Sequence, residues 1–301
     1  QKPEVTSIID FGDAVYTQII NDLAVAVAYA VMHKPDSLRA ALPIIEGYHL
    51  EYPLMEAELE FLYHLVGMRL VSSVCVSHLR KQEQPDDPYL TISEAPAWAL
   101  MEKWFDIPPD LAHFTFRKAC GLKPHPQEHA FHDWAKKQEL SINDLFPTHQ
   151  DKDKVYLLDL KPSSTWIGGI NDFNDLDRFT FAIDRLQAQH PDCFIAGGYL
   201  EPRPLYTSTS YDRPGNNGSE SRTVHLGVDV WLPAGTPVHA PFDGEIFTRT
   251  NDSGYKEYGG LIILKHYEEG IEFYTLYGHL SADSPARFDL GEKIKKEQLL
   301  R

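Results

Sequence analysis

Apolar residues recur at helical spacing through the first 122 residues, whereas the last third of the 301-residue chain breaks into short runs separated by Gly, Pro, Asp and Asn. A helical stripe and a pleated strand bury their apolar faces with different periods, so this change predicts two cores of different kind. Helices are predicted over Tyr16–Met32, Ser37–Leu50, Glu56–Lys81 and Glu94–Phe105, with breaks at Pro35, Pro53, Pro85, Pro88 and Pro108-Pro109. Leu59, Leu62, Tyr63, Val66 and Leu70 fall on one helix face and read as core packing. Arg69, Arg80 and Glu94 read as solvated charges. In the last third, Gly235-Thr236-Pro237-Val238 reads as a turn into a strand and Asp243-Gly244 as another turn. Gly259-Gly260, Leu261–His266 and Ile271–Leu280 then continue as strands. The expected fold class is multidomain α and β, an all-helical lobe followed by an antiparallel β domain. At 43% hydrophobic residues, a chain of this length has material for both cores.

Two histidine motifs carry chemistry in the β part, Val224-His225-Leu226-Gly227-Val228-Asp229-Val230 and Tyr277-Gly278-His279-Leu280-Ser281. In an extended strand His225 and Asp229 point the same way, while Leu226, Val228 and Val230 point into a core. An imidazole and a carboxylate suit zinc, but a catalytic zinc takes three protein ligands and keeps a fourth position open. The motif supplies two.

The run from His225 through Ala234–Ile246, Tyr258–His266 and Tyr274–Ser281 resembles the lysostaphin-like zinc peptidases. The resemblance implies that His225 and Asp229 ligate Zn²⁺ and that His279 assists catalysis beside the metal. It also implies a final His-x-His pair, giving the third ligand, which is expected beyond Leu299-Leu300-Arg301. The family's Gly-x-x-Ile-Lys-Lys-x-Gln segment departs here at Glu297 and Arg301, where glycine is usual. By this resemblance the reaction is metal-assisted peptide hydrolysis, with a bacterial cell-wall cross-link as the family's substrate. His239 reads as a strand packing residue, and His266 as a strand-end surface residue or a group behind the site.

At the other end, Thr6-Ser7-Ile8-Ile9 reads as a short buried strand delivering Asp10-Phe11-Gly12-Asp13 ahead of a helix. A carboxylate at a strand end is well placed for Mg²⁺ and nucleotide phosphates. With Ile8-Ile9 before it and Asn21-Asp22-Leu23-Ala24 after it, this segment resembles the metal-binding part of the aminoglycoside-phosphotransferase-like kinases, including choline- and hydroxylysine-type enzymes. The resemblance makes Asp10 the Mg²⁺ ligand and cofactor-binding residue for ATP, and Asp22 a structural partner of the catalytic loop. The nucleotide-covering lobe and catalytic loop are expected upstream.

Between the two parts, His125, His129 and His132 would share one side of a helix beginning near Pro126, where surface histidines are the expected reading. Val155–Leu160 reads as a strand, Asp175–Gln189 as an amphipathic helix, and Tyr206–Arg222 as a mobile loop. The domain expectation is 1–122 for the kinase-like lobe, 123–202 for a partly ordered connector and 203–301 for the peptidase-like domain.

A formal net charge of -16 argues against nucleic-acid and anionic-membrane partners. No apolar run reads as long enough to span a bilayer. Cys75, Cys120 and Cys193 are too few for a disulfide framework and favour a reducing compartment. The succession of a kinase-like and a peptidase-like part resembles bacterial fusion proteins in which a class III aminotransferase follows. Three functions are therefore open. The first is a zinc hydrolase acting on a peptide. The second is a small-molecule kinase working with the aminotransferase on an amino alcohol or amino acid, placed in the cytoplasm by its ATP. The third is a non-catalytic module that docks or spaces its neighbours. Contacts to flanking domains are expected in each.

Overall fold

The computed structural model describes residues 7, 14–84, 92, 94–166, 174–207 and 211–300. Asp10 and the Ile8–Asp13 segment lie outside the described residues, as do Pro85 and Pro88. The chain divides into two compact units, residues 1–128 with 214–218, and residues 129–213 with 219–301.

The first unit is built from α1 (Ile20–Ala30), α2 (Ser37–Glu51), α3 (Glu56–Glu83), α4 (Glu94–Phe105) and α5 (Pro109–Ala119). Local chemistry sets their ends. The Asp36 carboxylate accepts from Arg39 N at 2.9 Å to cap α2, Glu58 accepts from Met55 N at 2.8 Å at the start of α3, and α5 opens with Pro109, whose missing N–H costs nothing there. The α3 helix packs against α1, α4 and α5, and Leu59, Leu62, Tyr63, Val66 and Leu70 on its inner face are buried as their spacing predicts. Tyr63 and Trp104 stack with ring centroids 5.6 Å apart. Each ring also donates to the other residue's carbonyl, both at 3.1 Å, so two large rings are buried with their polar atoms satisfied.

Three expectations change in this unit. By length and composition α3 is long and apolar enough to cross a membrane, contrary to the sequence reading; here it is the central helix of the helical core. Arg69 is no solvated charge, because its guanidinium lies 5.3 Å over the Tyr29 ring and donates to Tyr29 Oη at 2.9 Å. The turn-rich stretch read as a mobile loop contains a hairpin, β4 (Asp212–Gly215) paired with β5 (Gly218–Ser221), of which residues 214–218 belong to this unit. At its turn, Asn216 Oδ1 accepts from Asp36 N and its Nδ2 donates to Asp36 O, each at 2.9 Å.

The second unit starts with α6 (Glu128–Ala135) and α7 (Ile142–Leu145). A three-stranded sheet follows, in the order β1 (Lys154–Leu158), β2 (Cys193–Gly197), β7 (Val230–Trp231). β1 and β2 run parallel, joined through α8 (Leu176–Gln189), while β2 and β7 are antiparallel. A two-stranded ladder pairs β3 (Glu201–Pro202) with β6 (Val224–His225). The largest sheet is antiparallel, β10 (Ile271–Leu280), β9 (Gly259–Glu268), β8 (Gly244–Asp252), β11 (Lys293–Ile294), in that order. Its core gathers Ala240, Ile246, Ile262, Leu264, Phe288, Ile294 and Leu300. Trp134 from α6 packs on Phe273 and Phe242, with ring centroids 4.7 and 5.3 Å apart.

Of the two readings of His266, burial excludes the strand-end surface residue. It lies within β9 at 1% exposure, its Nδ1 donates to Asp243 O at 2.7 Å, and its Nε2 lies 2.7 Å from Thr275 Oγ1. Burial holds its pKa below the ordinary value, against smaller upward effects of the Asp243 carbonyl and Glu268. Its folded pKa thus lies below the unfolded one, so its contribution to stability is complete above the unfolded value of about 6.5 and is lost as pH falls toward the folded one. Melting temperatures are expected to fall as pH drops below about 6.5, before most carboxylates titrate. In His266→Gln, the fall across that window is expected to be smaller than in the parent chain.

Glu297 shows why glycine suits its position. The turn is closed by Gln298 N donating to Lys295 O at 3.0 Å, and Glu297 sits inside it at φ +68°, a left-handed conformation that costs a side-chain-bearing residue energy. Glu297→Gly is expected to stabilise the unit by about 0.5–1 kcal/mol, read as a higher urea midpoint at unchanged slope.

Candidate metal centre

His225 and Asp229 are brought together, though not by the single strand their spacing implies. β6 ends at His225, the chain bends at Gly227, and β7 starts at Val230. Leu226 and Val228 are consequently 70% and 58% exposed rather than in a core. Two backbone anchors set the bend. Glu201 of β3 pairs in register with His225, and Gly197 N at the end of β2 donates to Asp229 O at 2.9 Å. His225 Nε2 then lies 3.7 Å from Asp229 Oδ1. Two donors each about 2.1 Å from one tetrahedral ion stand roughly 3.4 Å apart, so this pair fits a shared cation. Burial keeps the His225 pKa below its ordinary value, against the upward pull of Asp229. The ring is therefore neutral near pH 7, the form that ligates metal.

Behind the pair lies a buried ion network not foreseen from the sequence. Arg203 is 6% exposed and Glu201 3% exposed. Arg203 Nη1 donates to Asp229 Oδ2 at 2.5 Å and its Nε to Glu201 Oε2 at 2.8 Å. The other oxygen of Glu201 accepts from Leu160 N at 2.9 Å. Gly197 makes room, because a Cβ there would stand 2.6 Å from Arg203 Nη2. Tyr206, in the short 3₁₀ turn Pro204–Thr207, stacks near His225 with ring centroids 6.4 Å apart. Burial pushes its phenol up to about 12, so it stays protonated. A buried Glu-x-Arg two residues apart is legible only once the pairing of β3 with β6 puts Glu201 opposite His225.

His279 sits on a bulge. Pairing of β10 with β9 shifts between Tyr277 and Leu280, and His279 takes φ +57° with its side chain exposed. Its N–H donates to Tyr258 O at 2.6 Å, and Gly278 allows this approach because a Cβ would stand 2.9 Å from the Tyr258 ring. A strained, bulged histidine is the kind of feature that marks functional positions. Among the described residues, no group of three or more His, Cys, Asp or Glu could hold a metal ion, His125, His129 and His132 included. Two donors, not three, converge.

The decisive comparison is with protein families. Residues 223–300 match Peptidase family M23. This M23 segment begins one residue before β6 and takes in the pair, the bulge and the four-stranded sheet. The chain is also 42% identical over 64 residues to the DD-carboxypeptidase/endopeptidase Mpg of Neisseria meningitidis serogroup B, covering 21% of this chain and 14% of that protein. In its N-terminal part it is similar to hydroxylysine kinases. It is 27% identical over 110 residues to the one from Danio rerio, covering 36% of this chain and 31% of that protein. With the one from Mus musculus the identity is 26% over 105 residues, covering 35% and 28%. The chain thus spans less than a third of the length of each of these relatives. No solved structure matches significantly.

Proposed function

We propose that the M23 segment is the peptide-hydrolysing part of a multidomain enzyme whose N-terminal unit belongs to an ATP-dependent small-molecule kinase. The observation that carries the hydrolase reading is the pair His225 Nε2 and Asp229 Oδ1, 3.7 Å apart at the edge of a buried ion network. These two residues would hold Zn²⁺ together with a third donor, and the ion when bound supplies a Lewis acid for the scissile carbonyl. Neutral His225 keeps its lone pair available. Arg203 holds Asp229 Oδ2, which leaves Oδ1 for the cation. His279, solvent-accessible on its bulge, carries a proton between the peptide and water. The protonated Tyr206 phenol offers a hydrogen bond to an oxygen that gains negative charge.

The kinase reading rests on the similarity to hydroxylysine kinases. In it Asp10 holds Mg²⁺ against the nucleotide phosphates, the substrate is an amino alcohol or amino acid, and ATP places the enzyme in the cytoplasm. In a second reading the M23 segment only docks or spaces its neighbours.

Release of new amino groups from purified bacterial cell-wall peptides tests the hydrolase. With a chain that also supplies a third zinc donor, zinc-dependent release that is lost with a chelator and in His225→Ala is expected. Zinc loading without any release would leave the docking reading. For the kinase, a chain that includes the nucleotide-covering lobe is expected to phosphorylate hydroxylysine and to lose that transfer in Asp10→Asn, which keeps the shape and removes the charge.

A further inference from the structure

We propose that Arg203, braced by Glu201, is a positioning residue that fixes Asp229 with one oxygen engaged and the other turned toward His225. The inference rests on reading His225 and Asp229 as a metal pair. Its own support is the connectivity of the buried side chains. A carboxylate on an irregular segment can rotate and offer either one or both oxygens to a cation. Here Arg203 Nη1 on Oδ2 at 2.5 Å holds the carboxylate against rotation, and Gly197 N, donating to the Asp229 main-chain carbonyl at 2.9 Å, fixes the backbone that carries it.

The guanidinium cannot swing away to follow the carboxylate. Its Nε is held by Glu201 Oε2 at 2.8 Å, its backbone N donates to Thr223 O at 3.1 Å, and Nη2 rests over Gly197, where a Cβ would be 2.6 Å away. Glu201 is itself fixed by Leu160 N at 2.9 Å and by strand register opposite His225. One rigid unit therefore presents the imidazole and the carboxylate together. A planar fork is needed for this, because a lysine ammonium of the same charge cannot hold two carboxylates in fixed, separate directions. Charge alone makes the opposite prediction: a cation 2.5 Å from a ligand oxygen repels a metal, so weakening Arg203 would tighten metal binding.

Co²⁺ alone, titrated into the full chain and followed by paramagnetic shifts of the His225 imidazole protons, separates the two. Arg203→Lys is expected to weaken Co²⁺ binding at least about ten-fold, and Glu201→Gln to weaken it in the same direction. Ile246→Val, a core change away from the site, is expected to lower stability and leave Co²⁺ binding unchanged. Unchanged or tighter binding in a folded Arg203→Lys chain overturns the proposal.

If the parent chain shows no Co²⁺-dependent shift at His225, the metal reading fails and the positioning claim is decided without metal. In chelator, Arg203→Lys and Asp229→Asn are then compared singly and together by thermal unfolding. A double variant that melts no lower than Arg203→Lys alone shows that Arg203 acts through Asp229. Additive losses in melting temperature show that it does not, and overturn the claim.

Discussion

Arg203→Met is expected to destabilise the second unit by about 3–5 kcal/mol, the range for removing one partner of a buried ion pair. Methionine restores much of the volume, so the loss is not a cavity effect. What remains is Glu201, 3% exposed, with one oxygen still on Leu160 N and the other without its guanidinium. Asp229 loses its partner as well, but at 30% side-chain exposure water can replace part of that contact. The larger share of the cost therefore belongs to Glu201, and Glu201→Gln combined with Arg203→Met is expected to be less destabilised than Arg203→Met alone. Urea unfolding monitored by tryptophan fluorescence, to which Trp231 beside Gly197 contributes, reads the difference. A loss under about 1 kcal/mol would mean that the network behaves as a solvent-screened surface pair.

Trp104→Ala is expected to cost the first unit about 3–5 kcal/mol. Trp104 is fully buried among the residues of the helical core. Its removal leaves a cavity and ends the stack on Tyr63 at 5.6 Å. It also strips the Tyr63 carbonyl of its Nε1–H donor. Trp104→Phe keeps most of the volume and deletes that hydrogen bond, so it is expected to cost roughly 1–2 kcal/mol. Thermal unfolding followed by far-ultraviolet circular dichroism distinguishes the two. Equal losses in both variants would assign the effect to the hydrogen bond rather than to packing.

The helices were legible because their signals are local. The breaks at Pro35 and Pro53 and the apolar stripe Leu59–Leu70 act within one or two turns, and the observed α2, α3 and α4 begin at Ser37, Glu56 and Glu94 as read. The strands Ile271–Leu280 and Leu261–His266 were legible for the same reason, since alternation and turn residues are neighbours in sequence. The two histidine motifs were legible as residues, while the chemistry read into them came from the resemblance to the zinc peptidases.

Tertiary structure alone decided how those groups meet. The reading of Val224–Val230 as one strand was wrong in path, because pairing with β3 and β2 bends the chain at Gly227; across that bend His225 Nε2 stands 3.7 Å from Asp229 Oδ1. Exposure of Leu226 follows from the bend at Gly227, and burial of His266 from the Phe273 and Phe242 rings beside it, on which Trp134 of α6, far off in sequence, packs. Glu201 and Arg203 lie 24 and 26 residues before their partners His225 and Asp229. No local period marks them. Their role exists only where a buried guanidinium must be neutralised on both sides, a condition created when the chain excludes water from that pocket.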